Sequence, residues 1–126
     1  MYTIKQVSEI TNLSTHTIRY YDKEGLLPFI SRTESGIRKF SDTDLEWINL
    51  ITCFKNTGMH IKQIKQYIDW YIIGINTFDD RKQLLLSHRD SVIKQMEELQ
   101  FNLDKINKKI EYYNIEKSIH PELKRW

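Results

Sequence analysis

Residues 14–27 read Ser-Thr-His-Thr-Ile-Arg-Tyr-Tyr-Asp-Lys-Glu-Gly-Leu-Leu, and the rest of the chain is organised around them. Ser14 is a natural N-cap, because its hydroxyl can accept from a backbone N–H that the first helical turn leaves unpaired. Gly25 is a natural stop, so the spacing predicts a helix from Ser14 to about Glu24. Ile18 and Tyr21 then face inward with Leu13, leaving Thr15, Thr17, Arg19 and Tyr20 outward. Leu26-Leu27 leads away extended, since the residue before Pro28 avoids helical geometry.

Upstream, Thr3 and Gln6 form a capping box for a short helix through Ile4, Val7 and Ile10. Asn12 tolerates the left-handed backbone that a tight turn between helices needs. Two short helices across such a turn make a helix-turn-helix, in which the exposed face of the second enters the major groove. Arg19 is a fork-shaped donor for guanine or phosphate; Thr15, Thr17 and the tyrosines add hydroxyls. Tyr21 is divided between core and phosphate, as a wet-tipped aromatic sealing a small domain can be.

Downstream, residues 29–40 change character: Phe29–Arg32 and Ile37–Phe40 read as strands around a Thr33-Glu34-Ser35-Gly36 turn. The hairpin is a wing, whose Arg32, Arg38 and Lys39 are phosphate contacts that set register and salt dependence rather than specificity. Ser41 and Asp44 box the start of a helix through Ile48, Ile51 and Phe54 that stops at Gly58. Ile61, Ile64, Ile68 and Ile72 or Ile75 mark a further amphipathic helix ending near Gly74.

From Thr77, read as a cap, to about Ser118 there is no Gly or Pro. Leu85, Val92, Leu99, Ile106 and Tyr113 recur every seven residues, with Arg89, Met96, Leu103 and Ile110 between them, and Asp90/Lys94 and Asp104/Lys108 pair outside this seam. A helix of some 40 residues is a rod of about 60 Å. A domain of about 75 residues cannot cover its stripe, so a second chain should. The expected organisation is 1–76 as head, 77–118 as dimerisation helix and 119–126 as tail. The fold class is all-α dominated: a winged helix-turn-helix with a small β-hairpin, then a coiled-coil helix.

Composition excludes other classes. The chain has 126 residues, 40% hydrophobic and 29% charged, with 4 Gly and 2 Pro, which disfavours a β-sandwich and disorder alike. The net charge of +2 neither argues for nor against a nucleic-acid partner. A single cysteine, Cys53, excludes an internal disulfide and a multi-thiolate metal site. His16, His60, His88 and His120 are dispersed without metal-ligand spacing. No glycine-rich phosphate loop, paired-carboxylate site or nucleophile-base set is present, so neither an enzyme nor a bound cofactor is expected. Without a signal or membrane-length apolar run, a cytoplasmic location with no membrane partner is the expectation.

In order and spacing the chain resembles the MerR family of transcriptional regulators. The resemblance rests on Thr17-Ile18-Arg19-Tyr20-Tyr21-Asp22 with Gly25-Leu26-Leu27, and on Arg32–Phe40. Asp44-Leu45-Glu46-Trp47-Ile48 and Cys53-Phe54-Lys55-Asn56-Thr57-Gly58-Met59 follow. It implies a homodimer joined by an antiparallel coiled coil, holding two winged heads on a two-fold-related promoter operator. DNA bending and untwisting would then let RNA polymerase engage both promoter elements. It also implies that Lys55 touches the DNA backbone near the operator centre. The lone Cys53 before Gly58-Met59 is similar to the aldehyde- and electrophile-responsive, NmlR/AdhR-like branch. A thiol in an apolar helix reads equally as inert packing, so both readings of Cys53 stand. The chain departs from the family where Ile37 and Phe40 replace wing tyrosines, Asn12 replaces a glycine, and His60 replaces a small polar N-cap. Two other classes fit parts of the pattern: an architectural DNA-bending protein without an effector, and a coiled-coil adaptor without DNA affinity.

Overall fold

The computed structural model describes residues 1–120. The elements run α1 (Ile4–Thr11), α2 (Thr15–Lys23), β1 (Ser31–Arg32), β2 (Arg38–Lys39), α3 (Asp42–Asn56), α4 (Ile61–Ile73), a 3₁₀ turn (Ile75–Thr77) and α5 (Phe78–Ile119). Most of the expected tail, 121–126, lies outside the described residues.

The caps form where short polar side chains precede apolar periods. Thr3 accepts from the Gln6 N–H at 3.2 Å, and the Gln6 side chain accepts from the Thr3 N–H at 2.9 Å. Ser41 and Asp44 exchange the same pair of bonds at 3.1 and 2.8 Å, which accounts for a buried Asp44. Asn12 turns the chain between α1 and α2 in the left-handed region, at φ 58°. After α2, Gly25 has φ +77°, the left-handed backbone that calls for glycine; a Cβ there would stand 2.8 Å from the Lys65 Cε, the mobile end of a side chain that can move aside.

One core holds these elements. Val7, Ile18, Tyr21, Leu26, Leu27, Phe40, Ile48, Ile51, Phe54, Met59, Ile64 and Ile68 are all buried. Outside it, Trp47 packs edge-on to Tyr71 with ring centroids 4.8 Å apart, and Phe29 and Tyr67 lean on Trp47 at 6.1 and 6.3 Å.

The wing is shorter than its sequence pattern. Only Ser31–Arg32 and Arg38–Lys39 pair, with Arg32 opposite Arg38. Pro28 and Phe29 form a turn instead of a strand, and Phe29 lies against Trp47 and Tyr71. The wing base gains an unforeseen partner: Tyr2 exchanges backbone bonds with Phe40 at 2.7 and 2.9 Å. The Tyr2 hydroxyl donates to Asp42 at 2.7 Å. That bond, reinforced by the carboxylate's charge, raises the Tyr2 pKa above its ordinary 10.0.

Three further expectations are corrected. Ile72 and Ile75 are exposed, because α4 turns its inner face to the core only as far as Ile68. Thr77 does not cap α5 by accepting a helix N–H. Its buried hydroxyl donates to the Trp70 and Gly74 carbonyls, joining the end of α4 to the 3₁₀ turn. Asp104 accepts from the Gln100 amide at 2.9 Å rather than from Lys108.

The chain divides into two compact units, Met1–Leu86 and a second beginning at Ser87. The first therefore includes the opening turns of α5: Leu84 packs against the core and the Arg81 guanidinium lies 5.4 Å from the Tyr71 ring centre. In the second, Met96, Leu99, Leu103, Ile106 and Ile110 are all exposed along one helix, and no residue of α5 is buried. Val92 is half-buried, and Leu85, in the first unit, is exposed.

Candidate nucleic-acid interface

The candidate site is built on α2. Ser14 caps it by accepting from the Thr17 N–H at 3.0 Å, and its hydroxyl also meets that of Thr17 at 2.9 Å. Thr17 is thus half-buried and engaged in the cap, and Thr15 is half-buried as well, so the open part of the face is smaller than the sequence pattern implied. Arg19 and Tyr20 are exposed. Thr15, Arg19 and Asp22 follow at the i, i+4, i+7 spacing of one helical stripe, and Arg19 Nη1 donates to the Thr15 hydroxyl at 3.4 Å. Tyr21 is only 2% exposed. It supports the face from the core side rather than sharing it with solvent.

Two other elements converge on this helix. Lys55, in the last turn of α3, holds its ammonium 5.6 Å from the Tyr20 ring centre and 5.3 Å from that of Tyr21. From the wing, Arg32 Nη2 and Arg38 Nε both donate to Asp22 Oδ2 at 2.7 Å. Arg32 also donates to the Gly36 carbonyl at 3.1 Å, tying in the wing turn. Lys39 is exposed and has no ion pair among the described residues. Ile37, where the resemblance led one to look for a tyrosine, is exposed at the wing, while Phe40 is fully buried. The Phe40 position therefore serves the core, and a hydroxyl there would have no route to a phosphate.

The sequence pattern singled out Arg19, Arg32, Arg38, Lys39 and Lys55 but not Asp22, which the structure places against both wing arginines. A carboxylate in the last turn of a helix opposes the helix dipole. That local conflict, ten residues before one arginine and sixteen before another, was the available signal.

Cys53 is exposed, so inert core packing is not its role. Its neighbour in sequence, Lys55, points to the tyrosine rings instead of the thiol. No group of three or more His, Cys, Asp or Glu residues able to hold a metal occurs among the described residues. No helix there is long and apolar enough to cross a membrane.

Residues 2–70 match the model of the MerR HTH family regulatory proteins. An HTH-type transcriptional regulator of Haemophilus influenzae is 41% identical over 118 residues, covering 94% of this chain and 87% of the relative. The chain belongs to the MerR family. Bacillus subtilis AdhR is 35% identical over 91 residues, 72% of this chain and 65% of that one. Among solved structures, HiNmlR, a MerR regulator lacking the sensor domain and crystallised on promoter DNA, is 41% identical with a TM-score of 0.85, covering 93% of both chains. A MerR regulator from Bacillus thuringiensis is 43% identical with a TM-score of 0.81, over 89% of this chain and 98% of that one. These relatives are transcriptional regulators, not enzymes, and this MerR chain is a transcriptional regulator with their winged-helix head and long terminal helix.

Proposed function

We propose that this MerR-family regulator binds duplex promoter DNA as a homodimer and acts by changing the DNA's shape. The observation that carries the reading is the convergence on α2. Exposed Arg19 and Tyr20 share that helix with the anchor for both wing arginines, and Lys55 stands over its tyrosines. Arg19, with Tyr20, Thr15 and Thr17, reads the major groove; Arg38, Arg32, Lys39 and Lys55 meet phosphates and set register. Tyr21 underpins the face. The similarity to HiNmlR, solved on promoter DNA, supports the same class of partner.

Dimerisation is assigned to the seam of Leu85, Val92, Met96, Leu99, Leu103, Ile106 and Ile110. Five of these are large apolar side chains left exposed beyond Ser87, and an apolar row of that kind on a 42-residue helix is stable in water only when covered. An antiparallel pairing of two chains would set the head-to-head distance and with it a two-fold-related operator. RNA polymerase is then an indirect partner through the distorted promoter, a distortion worth several kcal/mol. The exposed Cys53 is the candidate point of attack for an electrophile. The setting for this activity is the cytoplasm.

The test is footprinting on DNA upstream of the chain's own gene, with run-off transcription with and without a reactive aldehyde. A two-fold-symmetric protected site and altered transcription support the reading. Protection without any effect on transcription would make the chain an architectural protein, and no protection on any duplex would leave it a coiled-coil adaptor.

A further inference from the structure

The wing arginines are not free. Asp22 is the last residue but one of α2, its side chain is only 16% exposed, and one oxygen, Oδ2, takes Arg32 and Arg38 together at 2.7 Å each. The two arginines stand opposite one another across the hairpin, so a single carboxylate grips both strands. Arg32 extends the grip to the turn through the Gly36 carbonyl. Arg38 gives only its Nε to this bond; its two Nη groups have no hydrogen-bond partner among the described residues.

We infer that Asp22 is a positioning residue for DNA recognition: it latches the wing to the recognition helix and withholds part of the wing's positive charge from DNA. This rests on the reading of α2 and the wing as the DNA interface. Two guanidinium groups and one carboxylate leave a net charge of about +1 where a free wing would show +2. Phosphate attraction is indifferent to sequence, so unbalanced wing charge raises affinity for any duplex and favours the operator little. The latch also holds two long side chains in place before binding, and their ordering no longer opposes docking. It therefore spends generic affinity to gain discrimination. A carboxylate against the helix dipole costs the isolated helix something, which the two charge-assisted bonds offset.

The test uses the full chain, its operator duplex and a scrambled duplex, titrated between about 50 and 200 mM salt. Asp22→Asn should steepen the log–log salt dependence by about 0.9 on both duplexes, one extra neutralised phosphate. It should strengthen binding to the scrambled duplex at low salt and lower the operator-to-scrambled ratio by roughly tenfold. Asp22→Ser, also neutral, should do the same, so either variant serves if the other folds poorly. Asp22→Glu should keep the wild-type salt slope, and Asp22→Asn with Arg32→Ala should return to it. A merely structural Asp22 would instead weaken both duplexes in parallel with the slope unchanged, and that result overturns the latch. Wild-type chain with no salt-dependent affinity for either duplex would refute the interface reading itself, whatever the variants do.

Discussion

Replacing Tyr21 by alanine tests whether neighbouring tyrosines on α2 do different work. Tyr21 is 2% exposed within a core that includes Ile18, Leu26 and Phe54, whereas Tyr20 is 38% exposed. Truncating a fully buried aromatic removes its transfer free energy and leaves a cavity, together about 3–5 kcal/mol. For a compact unit of the length of Met1–Leu86, each kcal/mol moves the midpoint by about 4–8 °C. Tyr21→Ala should therefore melt at least about 10 °C below wild type by circular dichroism, at one fixed protomer concentration because the proposed dimerisation would make the midpoint concentration-dependent. Tyr20→Ala should stay within about 1 kcal/mol of wild-type stability, as surface changes do, while operator affinity falls. Tyr21→Phe keeps the packed ring and should preserve both stability and affinity. A Tyr21→Ala midpoint within a few degrees of wild type would refute the burial argument. A Tyr21→Phe chain with normal melting and much weaker operator binding would show that the hydroxyl reaches a phosphate.

Other substitutions address the remaining assignments. Arg19→Ala should weaken operator binding by roughly 10- to 100-fold and relax base preference at one position per half-site, read by gel shift on a set of single-base operator variants. Leu99→Asp should give monomers by light scattering, since a charge in an apolar seam loses more by desolvation than the helix pair gains. A variant that stayed dimeric would move the interface elsewhere. Cys53→Ala should leave melting and DNA binding unaltered, because the side chain is exposed, and abolish any transcriptional response to an aldehyde. The raised Tyr2 pKa, caused by its bond to Asp42, means stability that is intact below pH 10.0 and lost as pH climbs through the folded-state value. Tyr2→Phe should remove that alkaline sensitivity in a pH series of melting curves.

Much of the fold could be read from local chemistry. The caps at Thr3, Ser14 and Ser41, the left-handed Asn12 and the stops at Gly25, Gly58 and Gly74 depend on side-chain oxygens and backbone φ within a few residues, which is information a linear pattern contains. Where expectation and structure part over the wing, a distant residue intervened. Phe29 left its strand for Trp47, which is eighteen residues away in sequence, and Tyr2 found Phe40. Thr17 differs for a local reason: its hydroxyl meets that of Ser14, three residues before it, in the cap of its own helix.

The division for the interface follows the same physical line. Amino-acid order alone determined that α2 would present Arg19 and Tyr20 between a serine cap and a glycine stop, and that α5 would run unbroken with an apolar seam. Periodicity and capping act over one or two helical turns. Only the tertiary structure decided that Cys53 faces solvent, that Tyr21 is given almost wholly to the core rather than divided between core and phosphate, and that one carboxylate on α2 holds both wing arginines. Each depends on which elements pack together across ten or more residues, where charge and exposure are set by neighbours in space and not by neighbours along the chain.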